Sequence, residues 1–596
     1  MHPMSIPLAH HDGSPLYVSN PCPGLGQNVD LLVRTSEGSG TRAVHLRATP
    51  DGEPTFVEAR VDRRGDDETW WRVTLPIVNA EMSYRFLLDT PDGGRWLNGL
   101  GVHARAVTDA ADYRLTTHSA PPAWTDEAIV YQIFPDRFAR SNAHPVSECP
   151  DWAVSSEWDD PVAWGTPDGV RQNYGGTLWG IAENLGHLER LGANTIYLTP
   201  FFPARSNHRY DATDFEHVDP LLGGDSALSE LISQAKRRGI RIIGDITLNH
   251  TGNEHPWFRR GQRDPDSPEA GFYYFEDDRN NYATFAGVST LPKLDHRSAE
   301  LRRRLYDGQD SVIARYLTDD GIDGWRVDVA QSAGRYRDTD LSAEVATLTR
   351  ATMTATGRDA FLVAEHQHDA SASLRGDGWH ATMAYSGFTR PIWSWLTRVP
   401  VEQYWGVPTA LPRYSGHDMK AVMAEFAAAI PWQSFSHNLT LLDSHDTPRF
   451  RSVAGREMHH LGAAMLMTLP GLPTIFAGDE IGLEGVHPED SRRPIPTDTD
   501  AWDHGTLDLY RNLISLRRAH PALRSGGLRW MYCDEDVVIY ERALDHQALV
   551  IQVSRDTHEP VIADARAVNL TGGPDLIPGQ PMPGDGPAFH IWLVSS

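Results

Sequence analysis

Gly324-Trp325-Arg326-Val327-Asp328 is a short apolar run that ends in a carboxylate. The same pattern returns in Phe361-Leu362-Val363-Ala364-Glu365 and in Leu441-Leu442-Asp443-Ser444-His445-Asp446. A carboxylate at the end of a buried strand costs free energy as structure, whereas the catalytic groups of (β/α)8 barrels lie at the carboxyl ends of strands. The three runs therefore predict one cluster of acidic side chains at the mouth of a barrel.

The chain around these runs alternates strand and helix candidates. Amphipathic helical stretches cover 227–238 and 507–518, and eight apolar strand candidates cover 128–134, 194–202, 241–248, 324–329, 361–365, 381–385, 439–443 and 474–477. Eight βα units over this length predict the α/β class and a (β/α)8 TIM barrel. The stretch after the third strand is too long for an ordinary loop, which predicts a small inserted subdomain there.

Short alternating runs separated by turn clusters flank the barrel on both sides. Such runs at regular spacing predict an N-terminal β-sandwich and a C-terminal β-sandwich. The predicted domains are residues 1–121, a catalytic barrel at 122–519 that includes the inserted subdomain 251–300, and residues 520–596.

Composition limits the partners. The 596 residues carry a formal net charge of -26, which argues against nucleic acid and anionic membranes as partners. Three widely spaced cysteines, Cys22, Cys149 and Cys533, predict neither a disulfide framework nor a zinc site. Without a signal-like apolar segment or a run long enough to span a bilayer, a cytoplasmic protein is the simplest interpretation.

Residue spacing suggests how the acids divide the chemistry. Arg326 and Asp328 point to the same side of a strand, so the guanidinium is expected to lower the pKa of Asp328 and keep it ionised. Glu365 has no basic residue in its strand and is the better proton donor. One ionised and one protonated carboxyl group are typical of retaining glycoside hydrolysis. Taken singly, a strand-end Asp is more often a helix cap and an Arg near an Asp an ordinary ion pair.

Asp245-Ile246-Thr247-Leu248-Asn249-His250, together with the three acidic runs, resembles in order and spacing the signature regions of the α-amylase family of glycoside hydrolases. The match covers nearly the whole chain. Tyr131-Gln132-Ile133-Phe134-Pro135-Asp136-Arg137-Phe138 and Ser206-Asn207-His208-Arg209-Tyr210-Asp211 resemble its neopullulanase, cyclomaltodextrinase and maltogenic amylase branch. Within that branch, Leu291-Pro292-Lys293-Leu294-Asp295 and Ala364-Glu365-His366 look most like the maltodextrin glucosidase subgroup.

The resemblance implies a role for each site residue. Asp328 would be the nucleophile, Glu365 the general acid/base and Asp446 the transition-state stabiliser, with α-glucan oligosaccharides as substrates. The implied substrate-binding residues are Tyr210, Asp245, His250, Arg326, His366, His445, Arg449 and Arg493. The expected reaction is retaining hydrolysis of α-1,4-glucosidic bonds in short maltodextrins with release of glucose, as in an α-glucosidase.

Several alternatives stay open. A cyclomaltodextrinase, neopullulanase or maltogenic amylase, a glucan transferase and a trehalose-forming isomerase could all use the same three acids, whereas a binding-only homologue would be expected to have lost one. In His487-Pro488-Glu489-Asp490-Ser491-Arg492-Arg493-Pro494, the acid that partners the arginines is either Glu489 or Asp490. No cofactor or required metal is predicted, although a structural calcium is left open. A homodimer through the N-terminal domain, as in relatives, is likewise open.

Overall fold

The computed structural model describes residues 2–3, 8–65, 67–146, 149–397, 408–410 and 412–595. Eight parallel strands form a nearly closed barrel, and we number them β1 to β8. Their bounds are β1 Val130–Ile133, β2 Thr195–Leu198, β3 Arg241–Thr247, β4 Gly324–Asp328, β5 Phe361–Ala364, β6 Ala381–Thr382, β7 Leu439–Leu441 and β8 Leu472–Phe476. β1 pairs with both β2 and β8, and a parallel bridge between Met383 and Leu439 joins the edges at β6 and β7. The predicted TIM barrel is confirmed.

Helices connect the strands on the outside of the barrel. They are Leu178–Glu183, Leu185–Leu191, Gly224–Arg237, Ala299–Leu305, Val312–Arg315, Ser342–Ala355, Arg390–Leu396, Gly416–Ala428, Trp432–Phe435, Phe450–Ala454, Arg456–Thr468 and His504–Ala519. Between β5 and β6, the fully described stretch 365–380 contains only the 3-10 turn Ser371–Ser373. The stretch 251–300 carries the short helix Pro256–Arg263, the turn Pro268–Gly271 and isolated β-bridges.

The N-terminal domain is a sandwich of two antiparallel sheets. One sheet has the order Ala9–His10, Asn28–Ser36, Glu68–Pro76, Arg60–Arg64; the other has Gly101–His103, Gly93–Asn98, Glu81–Thr90, Ala43–Ala48, Thr55–Glu58, with Tyr113–Thr116 also paired to Glu81–Thr90. Apolar residues of both sheets, such as Leu31 and Phe86, share one buried core. The alternating runs therefore predict this domain correctly.

The C-terminal domain is a five-stranded antiparallel sheet. Its order is Gly527–Cys533, Val537–Leu544, Gln547–Ser554, Ala588–Val594, Ala567–Asn569. Tyr540 and Ile551 bury one face in the barrel's core, and Ile539 and Trp592 lie in a separate core on the other face with Val561 of the short strand Val561–Ile562. The predicted C-terminal sheet domain is present.

Candidate active site

The three predicted catalytic acids lie at the carboxyl ends of barrel strands. Asp328 is the last residue of β4, and Glu365 directly follows β5, the neighbouring strand. Asp446 lies in the loop after β7. Asp328 and Glu365 are almost fully buried, whereas about a fifth of the Asp446 side chain is exposed. The parallel strands thus present all three acids at the same end of the barrel.

Arg326 joins the acids of β3, β4 and β5. Its Nη1 donates to Asp328 Oδ1 at 2.8 Å and lies 3.0 Å from both carboxylate oxygens of Asp245. Its Nη2 lies 3.0 Å from Glu365 Oε2. The guanidinium is fully buried, so solvent screens these charges little. One positive charge therefore serves three buried carboxyl groups.

The protonation of this cluster follows from burial. Loss of hydration raises the pKa of Asp328 well above its usual value and raises the pKa values of Glu365 and Asp245, against the opposing attraction of Arg326. Arg326 lowers the pKa of Asp328, as predicted, but desolvation of the fully buried carboxyl group outweighs this shared guanidinium, so the pKa of Asp328 is not low as expected. A raised pKa for Glu365 is confirmed. The three carboxyl groups share one cation within 3.0 Å, which favours retention of a proton among them.

Val329 adds a strained backbone contact that the sequence does not indicate. Its φ of 37° and ψ of 45° lie in the left-handed region, which is unfavourable for a β-branched residue. In this conformation its backbone N–H donates to Glu365 Oε2 at 2.8 Å. Such strain concentrates where a structure holds a functional group in place. The residue after Asp328 thus helps to position the carboxyl group of Glu365.

Asp446 belongs to a second cluster, with His445, Tyr210 and Arg492. Nε2 of His445 lies 3.1 Å from Asp446 Oδ2 and 2.6 Å from the Tyr210 hydroxyl, and the rings of His445 and Tyr210 are stacked. Arg492 donates to Asp446 Oδ1 at 3.2 Å and to the His445 carbonyl at 2.7 Å. Burial, the largest single influence, raises the pKa of Asp446, but His445 and the two arginines Arg492 and Arg326 together lower it well below its usual range. Asp446 is therefore ionised at neutral pH.

Asp245 and His250 are the predicted sugar-binding residues on β3 and in the loop after it. Asp245 is fully buried, and its oxygens accept from Tyr197, Tyr210 and Arg326, so it orients these groups. His250 stacks on Phe285, and its Nε2 has no hydrogen-bond partner among the described residues. Burial lowers the pKa of His250 to about 3, which leaves a neutral ring.

His366 follows Glu365 and is 4% exposed, and neither of its ring nitrogens has a hydrogen-bond partner in the described chain. Burial lowers its pKa to about 4. Buried polar atoms usually find a partner, so such open positions suit a ligand's hydroxyl groups. Lys293, from the Leu291-to-Asp295 segment after β3, joins the loops after β3 and β4. Its Nζ donates to Asn249 and to the Ser332 carbonyl.

Three arginines near the loops after β7 and β8 have different surroundings. Arg449 is 1% exposed and donates to Asp479, to Ser491 O, to Phe476 O and to Ala477 O, so its contacts are those of a structural residue and not of a sugar ligand. Arg493 is about two-fifths exposed and forms two hydrogen bonds with Asp490. Glu489 instead accepts from the backbone N–H of Gly165.

Arg492, and not its neighbour Arg493, reaches the acid of β7. The sequence analysis names Arg493 alone and misses Arg492, because the direction of the turn Asp490–Arg492 separates the two adjacent arginines. Gln132 was also missed, although it lies in the Tyr131-to-Phe138 motif: its amide lies 2.6 Å from His445 Nδ1.

Among the described residues, no group of three or more His, Cys, Asp and Glu side chains is arranged to hold a metal ion, and no helix is long and apolar enough to cross a membrane.

A barrel with paired, buried carboxyl groups at its mouth is the arrangement of a glycoside hydrolase, and comparisons identify the family. A model described as alpha amylase, catalytic domain, matches residues 132–508. Neopullulanase 2 of Thermoactinomyces vulgaris is 31% identical over 562 residues, which cover 91% of this chain and 88% of that protein. The intracellular maltogenic amylase of Bacillus subtilis is 30% identical over 553 residues, covering 88% and 87%.

A solved cyclomaltodextrinase structure shares the fold with a TM-score of 0.74 at 24% identity and covers 99% of both chains. The chain belongs to the α-amylase family of glycoside hydrolases. The family resemblance drawn from the signature runs is therefore confirmed. The maltodextrin glucosidase subgroup is not, because these relatives are named for neopullulanase, cyclomaltodextrinase and maltogenic amylase.

Proposed function

We propose that the protein hydrolyses α-1,4-glucosidic bonds in short maltodextrins and cyclic dextrins with retention of configuration. The observation that carries this proposal is the pair Asp328 and Glu365, buried side by side on adjacent strands and bridged by Arg326. The names of the relatives, neopullulanase, cyclomaltodextrinase and maltogenic amylase, support cyclic dextrins as substrates over the glucose-releasing specificity expected of a maltodextrin glucosidase. An intracellular relative also supports a cytoplasmic location.

In the proposed first step, Glu365 carries the proton that the buried acids retain, and Asp328, paired with Arg326, is the carboxylate. Glu365 donates its proton to the glycosidic oxygen while a carboxylate oxygen of Asp328 bonds to the anomeric carbon. The bond between the anomeric carbon and the leaving oxygen breaks, and the shortened glucan departs as an alcohol. In the second step Glu365 takes a proton from water, whose oxygen displaces the Asp328 carboxylate. The raised pKa of Glu365 suits the donor, and Arg326 at 2.8 Å stabilises the carboxylate that Asp328 becomes on leaving.

Asp446 and its neighbours are proposed to hold the sugar ring at the cleaved bond. An ionised Asp446 accepts from ring hydroxyls and gains most where positive charge develops on the ring. Tyr210 is proposed to border this sugar through its hydroxyl, which contacts His445 and Asp245, and His250 and His366 offer polar atoms to its hydroxyls. Arg493, more exposed, is proposed to contact a glucose farther out. The neutral His250 and His366 suit hydroxyl groups rather than anions.

Parallel assays on maltotriose, a cyclodextrin and pullulan test the proposal, with the anomeric form of the first product followed by NMR. We expect the α-anomer from maltotriose and the cyclodextrin. Release of glucose alone, without action on the cyclodextrin, would support an α-glucosidase, and longer oligosaccharides or trehalose would indicate a transferase or an isomerase. Release of the β-anomer would contradict retention.

Asp328→Asn and Glu365→Gln test the assigned roles. Each variant is expected to lose hydrolysis by a factor of about 10³ or more while keeping the fold, since either change removes one chemical step. Glu58→Gln, on an exposed N-terminal strand, is the matched control and is expected to match the wild type. A crystal structure should place the two carboxyl groups roughly 5 to 5.5 Å apart. Sedimentation of the same preparations shows whether the protein forms the homodimer that the resemblance leaves open.

A further inference from the structure

Gln132 lies inside the barrel, behind the second cluster. It is the third residue of β1 and is fully buried. Its Nε2 lies 2.6 Å from Nδ1 of His445, whose ring is likewise fully buried. Its Oε1 has no hydrogen-bond partner among the described residues. The amide nitrogen of Gln132 thus contacts this one histidine nitrogen, whereas its oxygen contacts no polar group of the described residues.

The other ring nitrogen of His445 must carry a proton. Nε2 lies 3.1 Å from Asp446 Oδ2, and a carboxylate oxygen can only accept. Nε2 is also 2.6 Å from the hydroxyl of Tyr210, which itself donates to Asp245 Oδ2 at 3.0 Å and is therefore free to accept. Both neighbours of Nε2 thus take a hydrogen bond from it.

The state of Nδ1 then depends on which atom of the Gln132 amide faces it. If the NH2 group faces it, Nδ1 accepts and the ring is neutral. If the oxygen faces it, Nδ1 must also be protonated, and both N–H bonds of the buried NH2 group lose their partner. Leaving two donors unsatisfied costs more than leaving one donor and one acceptor lone pair unsatisfied. The first orientation is favoured.

We propose that Gln132 is a positioning residue that holds His445 as the neutral tautomer protonated at Nε2. This tautomer directs its single N–H bond toward Asp446 and the Tyr210 hydroxyl, at the edge of the proposed sugar site. The proposal rests on the proposed function for the sugar, but the hydrogen-bond chain from Gln132 through His445 to Asp446 exists without it. Which nitrogen of a histidine is protonated is commonly set by the partner of the other nitrogen.

The other charged groups around His445 include both carboxyl groups, which favour a protonated ring, and cations, which oppose it. The carboxyl groups are Asp245, Glu365 and Asp446, the cations are Arg326 and Arg492, and His208 lies on the loop beside Tyr210. Arg492 donates to the backbone carbonyl of His445, and Asp245 accepts from Arg326. The amide contact at Nδ1 is the one that a single substitution can turn from neutral to anionic.

Gln132→Glu and Gln132→Met test the proposal. A carboxylate at this place accepts a proton from Nδ1 and makes His445 an imidazolium, so we expect one additional ionisation between about pH 5 and 8 in the pH profile of kcat/KM. Gln132→Met keeps the length without a donor, and kcat/KM is expected to fall roughly 10- to 100-fold, the range seen when outer partners of metal-binding histidines are removed.

Gln552→Met is the matched control. Gln552 is also a fully buried glutamine with an unpaired Oε1, but it lies in the C-terminal sheet. It is expected to change the melting temperature without changing the pH profile. If the pH profiles of both Gln132 variants, scaled for rate, superimpose on that of the wild type, Gln132 is only a packing residue and the proposal is refuted.

A direct measurement separates this inference from the proposed function. In protein labelled with 15N-histidine, the signals of His445 are identified by their loss in His445→Asn. We expect Nδ1 of the wild type to be unprotonated and Nε2 protonated at pH 7, and both to be protonated in Gln132→Glu. Two protonated nitrogens in the wild type would overturn the proposal whatever the enzyme hydrolyses, whereas absence of glucan hydrolysis in the wild type would contradict only the proposed function.

Discussion

Arg326 is the residue on which the acid cluster of β3 to β5 depends. Asp245, Asp328 and Glu365 all lie within 3.0 Å of its guanidinium. Removing charges from water is costly, and one cation compensates three carboxyl groups only in part. The site is therefore maintained at the expense of folding free energy, as is common where a function needs buried charge.

Glu365→Gln is expected to stabilise the protein at pH 7 while abolishing activity. Because burial raises the pKa of Glu365 in the folded state, the folded protein binds this proton more tightly than the unfolded chain does. Ionisation at neutral pH thus costs stability, and the amide removes a cost of the order of 1 kcal/mol. Thermal unfolding should show a higher midpoint for the variant at pH 7.

The same comparison at about pH 4 checks the cause, because near or below the ordinary glutamate pKa both states hold the proton. The gain should shrink there. Glu58→Gln, which changes an exposed side chain, should leave the midpoint unchanged at both pH values. A gain for Glu365→Gln that is independent of pH would show that packing, not ionisation, is responsible.

Sequence reasoning identified the acids but not all of their partners. Asp328, Glu365 and Asp446 could be found because each ends an apolar run, which is a signal carried by neighbours in the chain. Arg492 reaches Asp446 from a loop 46 residues away, and Gln132 reaches His445 across 313 residues. Such contacts depend on the closure of the barrel and on loop direction, neither of which leaves a local pattern.

The sequence predicts the presence of the barrel strands better than it predicts their ends. Seven of the predicted runs contain a whole strand and the eighth overlaps β8, because a strand buried on both faces needs a continuous apolar stretch. Their ends were less predictable: β8 begins at Leu472 although Pro473 cannot donate to a neighbouring strand, and β6 is only Ala381–Thr382. Gly244 on β3 is explained only in three dimensions, since a Cβ there would lie 2.8 Å from the Trp325 ring.

The loops after β7 and β8 are joined by a buried ion cluster beneath Asp446. Arg449, from the β7 loop, pairs with Asp479, which follows β8, at 2.6 Å. Asp443 accepts from the Phe450 N–H at 2.6 Å and so fixes the start of helix Phe450–Ala454. Burial raises the pKa values of Asp443 and Asp479. Both loops that present the sugar-binding groups therefore depend on Arg449.

Arg449→Met is expected to destabilise the protein by about 3 to 5 kcal/mol, because it leaves Asp479 buried without its cation. If Arg449 is structural, the KM for maltotriose measured well below the melting temperature stays within about twofold of wild type. Calorimetric or urea unfolding together with kinetics gives both quantities.

Arg493→Met is the matched comparison, since the Arg493 side chain is more exposed and its pair with Asp490 contributes only about 1 kcal/mol or less. Here KM should rise with little loss of stability. The opposite result, a raised KM for Arg449→Met at unchanged stability, would restore Arg449 as a sugar ligand and contradict its structural assignment.

The three domains are connected by buried polar contacts. Arg34 in the N-terminal sandwich donates to Glu541 of the C-terminal sheet at 2.6 Å, and Arg529 of that sheet binds both Glu541 and Glu68 of the sandwich. Arg114 of the sandwich donates to the carbonyl of Ala428, at the end of a barrel helix. The N-terminal sandwich is thus attached both to the C-terminal sheet and to the barrel.

Glu541→Gln is expected to loosen this attachment. Burial, the largest influence, raises the pKa of Glu541, but Arg529 and Arg34 lower it far below its usual range. A depressed folded-state pKa stabilises the protein above the ordinary glutamate pKa of about 4.3, and this contribution is lost as the pH falls toward the folded-state value. Removing the charge leaves two buried arginines short of a partner, at a cost of about 3 kcal/mol at pH 7.

Differential scanning calorimetry of wild type and Glu541→Gln at pH 7 and near pH 3 tests this. The N-terminal and C-terminal domains of the variant should unfold at lower temperature at pH 7, and the two proteins should converge as the acid side is approached. Glu68 also contacts Arg529, but it is more exposed, so Glu68→Gln should cost clearly less. Equal losses for the two variants, or a loss for Glu541→Gln that does not depend on pH, would mean that shape and not charge joins the domains.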